Sequence, residues 1–156
     1  YQLIKQVSGR AGRSRSRGRV ILQTDYVHHY LHKRLIDNNY RDFYNFQLSQ
    51  RKEFNYPPFS KLIKIRFKSK KIDIIDLSSK WFCDALNNII NCTVLGPEFP
   101  LVSKINNFHI KDLIIKIEKD QNILATKKRL NKLIKTFNDY PKFRSVKISV
   151  DVDPYN

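Results

Sequence analysis

The chain has 156 residues, enough for one ordinary domain or for one domain and the edge of another. Its 41% hydrophobic and 12% aromatic residues are typical of a folded protein and argue against disorder. The net charge of +16 indicates a polyanionic partner, most commonly a nucleic acid. An acidic membrane surface is the rival partner, but no apolar run approaches the roughly 20 residues of a membrane span. A solvated basic surface without function stays open.

The two cysteines, Cys83 and Cys92, have no Cys or His neighbours at the spacing of metal ligands. We therefore predict buried thiols and no metal site. The first residues are polar and basic, unlike a signal peptide. Position 1 is not Met, so we interpret the sequence as a piece of a longer product that was cut upstream.

The first element is predicted over residues 1–7, where Leu3, Ile4 and Val7 recur at helical spacing. We expect this apolar face to pack against a sheet that is mostly missing from this chain.

The next stretch has the pattern Q-x-x-G-R-x-G-R, formed by Gln6, Gly9, Arg10, Gly12 and Arg13. Two arginines three apart, each after a glycine, suit a helix that begins close to a polyphosphate, because glycine keeps bulk away. A guanidinium pairs with two phosphate oxygens at once and keeps its charge. The alternative is a basic turn of any nucleic-acid-binding protein.

A basic loop follows and leads into the β-branched, apolar run 19–24, which predicts a buried strand. The loop carries Arg15, Arg17 and Arg19. These arginines either contact DNA phosphates or are solvated, and both interpretations stay open.

Residues 26–54 have a helical pattern, which we divide into two helices at Asn38-Asn39, where Asn can cap the second helix. An aromatic stripe runs along that helix, and we expect helix packing to bury it, although base stacking is the alternative. The stripe consists of Tyr40, Phe43, Tyr44, Gln47, Arg51 and Phe54.

Two further features lie at the ends of this helical region. His28 and His32 are one turn apart and could share a metal ion, but no third ligand is nearby. The run Tyr56-Pro57-Pro58-Phe59 ends the helix, because proline cannot continue it, and predicts a domain boundary.

The remainder predicts strand, helix, strand, strand, helix, strand, which is the split β-α-β arrangement. Apolar residues alternate with polar ones in the strands around 63–67, 113–117 and 146–152, and Val94-Leu95 forms a short strand before Gly96-Pro97. The helices have apolar faces at Ile75, Phe82, Ala85, Leu86 and Ile89 and at Leu130, Leu133, Ile134 and Phe137. Asp73 is a plausible cap of the first helix. A basic row on the second helix includes Lys127, Lys128, Arg129, Lys132 and Lys135.

Basic residues on the outward side of a strand form a surface suited to a phosphate backbone, and Lys64 and Arg66 are our candidates there. Lys104 lies in a polar loop that also carries Phe108. The Phe108 ring either stacks on a base or belongs to the core.

Four patches, in order, resemble one family. The Q-x-x-G-R-x-G-R pattern and the run ending in Gln23-Thr24 resemble the sixth conserved motif of superfamily 2 helicases. Together with Tyr56-Pro57-Pro58-Phe59, Leu95-Gly96-Pro97 and the terminal run 150–155, they resemble the C-terminal portion of PriA-type replication-restart helicases (primosomal protein N′).

The resemblance implies an α+β or α/β chain in two parts. Residues 1–57 would be the end of a RecA-like second helicase lobe, and residues 58–156 a small ferredoxin-like, DNA-binding C-terminal domain. The intact protein would be an ATP-dependent 3′-to-5′ DNA helicase that recognises stalled or branched replication forks and restarts replication by primosome assembly. It would act in the bacterial cytoplasm, associated with the nucleoid and not with a membrane.

The resemblance also assigns roles. Arg13 would be the arginine finger and Arg10 a second phosphate contact, while Gly9 and Gly12 let the nucleotide approach. Gln6 would link the nucleotide site to the DNA site. ATP and Mg²⁺ would bind the full-length protein, and zinc only its upstream part, so we expect no ATPase activity from this chain alone. It has no G-x-x-x-x-G-K-[ST] loop and no adjacent Asp-Glu pair.

Expected partners are forked and single-stranded DNA, single-stranded-DNA-binding protein and other primosome proteins. The chain departs from the family in its arginine-rich loop at 13–19 and in the weak basicity of the loop at 103–109. A non-enzymatic basic module that binds DNA or ribosomal RNA is the alternative function, and a ribosome-associated protein is a third.

Overall fold

The structure is a computed structural model that describes residues 2–11, 18–26 and 30–154. The chain divides into two compact units, Tyr1–Gln50 and Arg51–Asn156. Residues 51–57 group with the second unit, and the division at 57/58 stays a prediction about the evolutionary domains. None of the helices in these described ranges is long and apolar enough to cross a lipid bilayer.

The first unit is helical. It contains α1 (Gln2–Ser8), α2 (Tyr30–Ile36) and most of α3 (Tyr40–Glu53). The predicted break is confirmed: Asn38 has a left-handed φ of 53°, and the Oδ1 atom of Asn39 accepts a hydrogen bond of 3.0 Å from the Asp42 amide. Asn39 thus caps α3 as expected.

The aromatic stripe of α3 is not buried. Tyr40 and Tyr44 are 52% and 50% exposed, so the prediction that helix packing buries them is wrong. The contact between α2 and α3 is made by Gln47 of the stripe, which donates a hydrogen bond to the Tyr30 hydroxyl, and by Phe46 outside it, whose ring lies 4.5 Å from that of Tyr30. Arg34 lies over Phe46 and pairs with Asp42 at 2.8 Å, and this ion pair holds the two short helices together.

Two other expectations for the first unit are wrong. Residues 18–24 form no strand, and Ile21 is 82% exposed, because the described part of this unit contains no strand that could pair with the run. Helix α1 forms as predicted, and its Leu3 and Val7 are exposed, since the described part of this unit contains no sheet against which they could pack. This helix ends at Ser8, where the Gly9 amide donates to the Lys5 carbonyl, so the described part of the glycine-arginine pattern follows a helix end and does not begin a helix.

The second unit is an α+β domain, and the predicted order of its elements is confirmed. Its described part comprises β1 (Ser60–Ser69), α4 (Ile72–Ile89), β2 (Thr93–Glu98), β3 (Lys104–Ile105), β4 (Phe108–Glu118), α5 (Ile123–Asp139), a 3₁₀ turn (Pro141–Phe143) and β5 (Lys147–Val152). The strands form one antiparallel sheet in the order β2-β4-β1-β5, with the short β3 beside β4. The short strand β3 and the 3₁₀ turn were missing from the predicted elements.

Helices α4 and α5 cover one face of this sheet. Alternate residues of the central strands point into the core between the sheet and the helices: Ile63, Ile65, Phe67, Leu113, Ile115 and Ile117. The core is largely aromatic where the helices meet the sheet, with Phe137 at its centre. Because the strand period is two, the intervening residues of β1 and β4 lie on the opposite, outer face.

Two details of this unit concern Asp73 and the cysteines. Lys71 occupies the N-cap position of α4, and Asp73 lies in the first turn, where its charge complements the helix dipole without capping the helix. Both cysteines are free, and Cys83 is buried as predicted, whereas Cys92 is half-buried. Burial raises the pKa of the Cys83 thiol, which makes this thiol unreactive near neutral pH.

Candidate nucleic-acid interface

The glycine-arginine pattern is only partly described. Gln6 lies on α1, and Gly9 and Arg10 follow its end; all three are exposed. Arg19 is also exposed, in the irregular segment. The remaining candidates lie outside the described residues, namely Gly12, Arg13, Arg15 and Arg17. Their roles, like those of the first four, stay predictions.

The basic side chains at the centre of the outer sheet face are paired with carboxylates. Arg66 on β1 donates two hydrogen bonds of 2.7 Å, from Nε and Nη2, to the two carboxylate oxygens of Asp112 on β4. The Lys64 ammonium lies 3.9 Å from the same carboxylate, and Asp151 is the β5 neighbour of Lys64 in the register. The hydrogen bonds to Asp112 raise the pKa of Arg66. Both predicted phosphate contacts on this strand therefore already have carboxylate partners.

A surface cleft of about 290 Å³ is lined by Lys64, Arg66 and Asp151, together with Ser149 and Val150 on β5. Asp112 was missed because it lies 46 residues from Arg66 in the chain. The sequence nevertheless indicated the face on which Asp112 lies. It occupies a strand position that alternates with those of Leu113, Ile115 and Ile117, and so it belongs to the outer face.

Asp112→Asn should release Lys64 and Arg66 from this carboxylate and tighten the binding of nucleic acid. The salt dependence should steepen by about one unit, because one more phosphate contact becomes available. The free energy of unfolding should fall by about 1 to 2 kcal/mol, since the variant loses charge-assisted hydrogen bonds at a partly buried site.

Binding across a salt series, together with urea denaturation, measures both effects. Asp76→Asn is the matched control: Asp76 pairs with Lys111 at 2.7 Å and is far more exposed than Asp112, so its loss adds the same charge without freeing Lys64 or Arg66. Equal steepening in the two variants would contradict the assignment.

One end of the outer face is covered by the segment that follows α3. Lys116 on β4 is buried, and its ammonium donates a 2.8 Å hydrogen bond to the Phe54 carbonyl. It also lies 3.9 Å from the centroid of the Tyr56 ring. Burial lowers the pKa of Lys116. This lysine anchors the start of the Tyr56-Pro57-Pro58-Phe59 run and is not available to a ligand.

The other end of the outer face carries a group that we name the Phe108 cluster: Phe108, Lys68, Lys70 and Lys147. Phe108 begins β4, is half-buried and does not belong to the buried core. The ammonium groups of Lys70 and Lys147 lie 5.7 and 5.5 Å from the centroid of its ring. Lys68 faces Lys147 directly across β1 and β5. The candidate Lys104 lies on β3, exposed and paired in register with His109.

A second basic surface lies on α5, and we name it the α5 basic face: Lys128, Arg129, Lys132 and Lys135. The helix buries Leu130, Leu133 and Phe137 on its other side, and residues 123–138 include no Asp or Glu. Arg129 donates a 3.0 Å hydrogen bond to the Ile89 carbonyl at the end of α4. A surface groove of about 420 Å³ runs alongside, between α4 and α5. The basic row was visible in the sequence, but these residues were not among the predicted contacts.

The described part of the chain contains no group of three or more His, Cys, Asp or Glu side chains that could hold a metal ion. The proposed pair of His28 and His32 stays untested, because His28 lies outside the described residues.

The second unit is thus a small antiparallel α+β domain with two basic surfaces. Residues 52–155 match the family described as primosomal protein N C-terminal domain, and the chain belongs to this family. This confirms the resemblance found in the sequence.

Proteins named replication restart protein PriA are similar to this chain. That of Bacillus subtilis is 28% identical over 159 residues, covering 99% of this chain and 19% of that protein. That of Rickettsia prowazekii is 33% identical over 158 residues, covering 99% and 23%. That of Chlamydia trachomatis is 30% identical over 156 residues, covering 99% and 20%. The chain thus spans about a fifth of the length of these curated relatives.

Proposed function

We propose that this chain is the C-terminal part of an ATP-dependent 3′-to-5′ DNA helicase of replication restart, and that its own task is to bind the nucleic-acid backbone. The observation that supports binding of the nucleic-acid backbone is the α5 basic face. Its cations extend over two turns, from Lys128 to Lys135, with no carboxylate among them. Seven residues of helix span about 10 Å, which is the axial rise of about three phosphates along one strand of duplex DNA.

The proposed role of the first unit is to contribute to the ATP site. We place residues 1–57 at the end of a RecA-like second lobe, where Arg13 and Arg10 would complete an ATP site. The exposed side chains of Gln6 and Arg10 support such a role, since both are accessible to a ligand. ATP and Mg²⁺ would be held mainly by residues outside this chain, which contains no phosphate loop. This chain alone would therefore not hydrolyse ATP.

Forked and single-stranded DNA are the proposed substrates of the intact protein, with single-stranded-DNA-binding protein and other primosome proteins as partners. The names of the relatives support the restart role. Since we propose that the intact protein acts on a chromosome, it would lie in the bacterial cytoplasm, at the nucleoid.

Binding of the full chain to forked DNA, single-stranded DNA, duplex DNA and structured RNA, each across a salt series, tests the proposal. A steep salt dependence with a preference for forks or single strands is expected. The triple variant Lys128→Gln, Lys132→Gln, Lys135→Gln should weaken binding at least about tenfold and reduce the slope by about two to three units, because each lysine contacts one phosphate.

The matched control removes three exposed lysines elsewhere, Lys61→Gln, Lys80→Gln and Lys119→Gln, and so changes the net charge equally. If both triple variants lose affinity alike, the α5 basic face has no special role. A clear preference for structured RNA would favour the ribosome-associated alternative, and the absence of binding to all four would refute the proposed function.

A further inference from the structure

Two ammonium groups, those of Lys70 and Lys147, lie over the Phe108 ring, and a third lysine, Lys68, occupies the strand position opposite Lys147. Lys68 and Lys147 occupy directly opposed positions on β1 and β5, and like charges in that position destabilise a sheet. Along their own strands, the outer-face carboxylates Asp112 and Asp151 are four residues, about 13 Å, from Phe108 and Lys147. Asp112 is two residues from Ile110, the register partner of Lys68, but it is bound by Arg66. The fold alone gains nothing from this concentration of charge, whereas an anion placed there would relieve the repulsion.

The aromatic ring is available at the same place. Phe108 is only partly buried and contributes nothing to the core between sheet and helices. It is paired with Ile105 of β3, which fixes the position of the ring at the end of the sheet. The cluster thus combines a positioned aromatic ring, two ammonium groups over that ring and a third lysine beside Lys147.

We propose that the Phe108 cluster binds one nucleotide unit of a single-stranded nucleic acid, with the base stacked on Phe108 and the adjoining phosphate held by Lys147, Lys70 and Lys68. This inference rests on the proposed nucleic-acid-binding function and names a site and a ligand within it. A single strand fits best, because it presents an unstacked base and a phosphate together, whereas a duplex hides the faces of its bases.

The relative strengths of the interactions permit this exchange. An exposed cation–π contact is worth about 0.5 to 1 kcal/mol, and stacking of a base on an aromatic side chain about 1 to 3 kcal/mol. A base therefore displaces a lysine from the ring. The displaced ammonium stays tethered beside the ring, where the phosphate of the same nucleotide arrives.

The test compares a short thymidine oligonucleotide with an abasic strand of equal length and charge, using the full chain. The wild-type protein should bind the thymidine strand about 5- to 150-fold more tightly, which corresponds to stacking of one base. Phe108→Leu should remove this preference, and Phe108→Tyr should retain it because the ring remains. Lys147→Gln should weaken binding of both strands and reduce the salt slope by about 0.7 units, the value for one phosphate of a single strand.

Phe99→Ala is the matched control. Phe99 is also exposed and lies 4.5 Å from a lysine ammonium, that of Lys111, but this lysine is neutralised by Asp76. The variant should keep the preference for thymidine. Phe108→Leu and Lys147→Gln both preserve side-chain bulk, so loss of folding would not account for their effects on binding.

The outcomes of this test distinguish a failure of the Phe108 site from a failure of the proposed nucleic-acid-binding function. If the wild-type protein binds both strands equally, or if Phe108→Leu keeps the preference, the Phe108 site is refuted while nucleic-acid binding stands. If the chain binds neither strand nor any duplex, both proposals fail.

Discussion

Replacing Phe137 by alanine should lower the free energy of unfolding of the second unit by about 3 to 5 kcal/mol. Phe137 is fully buried on α5. Its ring lies 5.0 to 6.0 Å, between centroids, from four other aromatic rings, those of Phe67, Trp81, Phe82 and Phe143. The loss combines the transfer of a large apolar side chain with a cavity that rigid neighbouring rings cannot fill.

Urea denaturation followed by far-ultraviolet circular dichroism measures this effect, and the fluorescence of Trp81, the single tryptophan of the chain, gives a second probe. Phe137→Leu should cost clearly less, because it leaves a smaller cavity. Tyr140→Ala is a useful comparison, since Tyr140 stacks on Phe143 at 5.1 Å but remains 45% exposed. A loss below about 2 kcal/mol for Phe137→Ala would show that the aromatic core rearranges.

Gly96→Ala should destabilise the second unit by about 3 kcal/mol. Gly96 lies at the irregularity in the pairing of β2 with β4 and has a φ of 92°, a conformation that side chains rarely adopt. Backbone strain of this kind costs about 1 to 3 kcal/mol. A Cβ atom would also lie 2.7 Å from the Asp112 carbonyl oxygen and 3.0 Å from the Glu98 amide. Both are backbone atoms, so relief requires a shift of the strands.

Gly9→Ala is the control for this substitution. Its Cβ atom would meet the Lys5 carbonyl oxygen at 3.2 Å, without a positive φ, and it belongs to the other compact unit. The unfolding transition of the sheet should therefore be unchanged in Gly9→Ala. A transition of Gly96→Ala within about 1 kcal/mol of the wild type would show that β2 shifts at little cost.

The local pattern of the sequence predicted the elements of the second unit, and in the first unit it predicted the helices and their break but was wrong about the run 19–24. Alternation at Ile63, Ile65 and Phe67 identified a strand and its buried face, because a sheet covered by helices on one side imposes that period. The apolar run at 20–22 gave a similar signal, yet it forms no strand. A run of β-branched residues becomes a strand only where another strand supplies hydrogen bonds, and the described part of the first unit has none.

The candidate site shows the same limit more sharply. Lys64 and Arg66 were correctly placed on the outer face of β1, but their carboxylate partner on β4 was not foreseen. The sequence allows two interpretations of Phe108, a core residue or a ring that stacks on a base. Its position beside Lys70 and Lys147 excludes the first interpretation. Sequence spacing places a side chain on a face of its own element, whereas its neighbours depend on the pairing of elements distant in the chain.

The sequence by itself determined the family, the order of elements in the second unit and the excess of positive charge, because motifs, periodicity and composition are properties of the local chain. Only the tertiary structure decided which positive charges face carboxylates and which gather without them. The register of β1 against β4 and β5 places Asp112 beside Arg66 and Lys147 beside Lys68. Neutralisation is a matter of distance in space, and strand pairing brings together residues that the sequence keeps far apart.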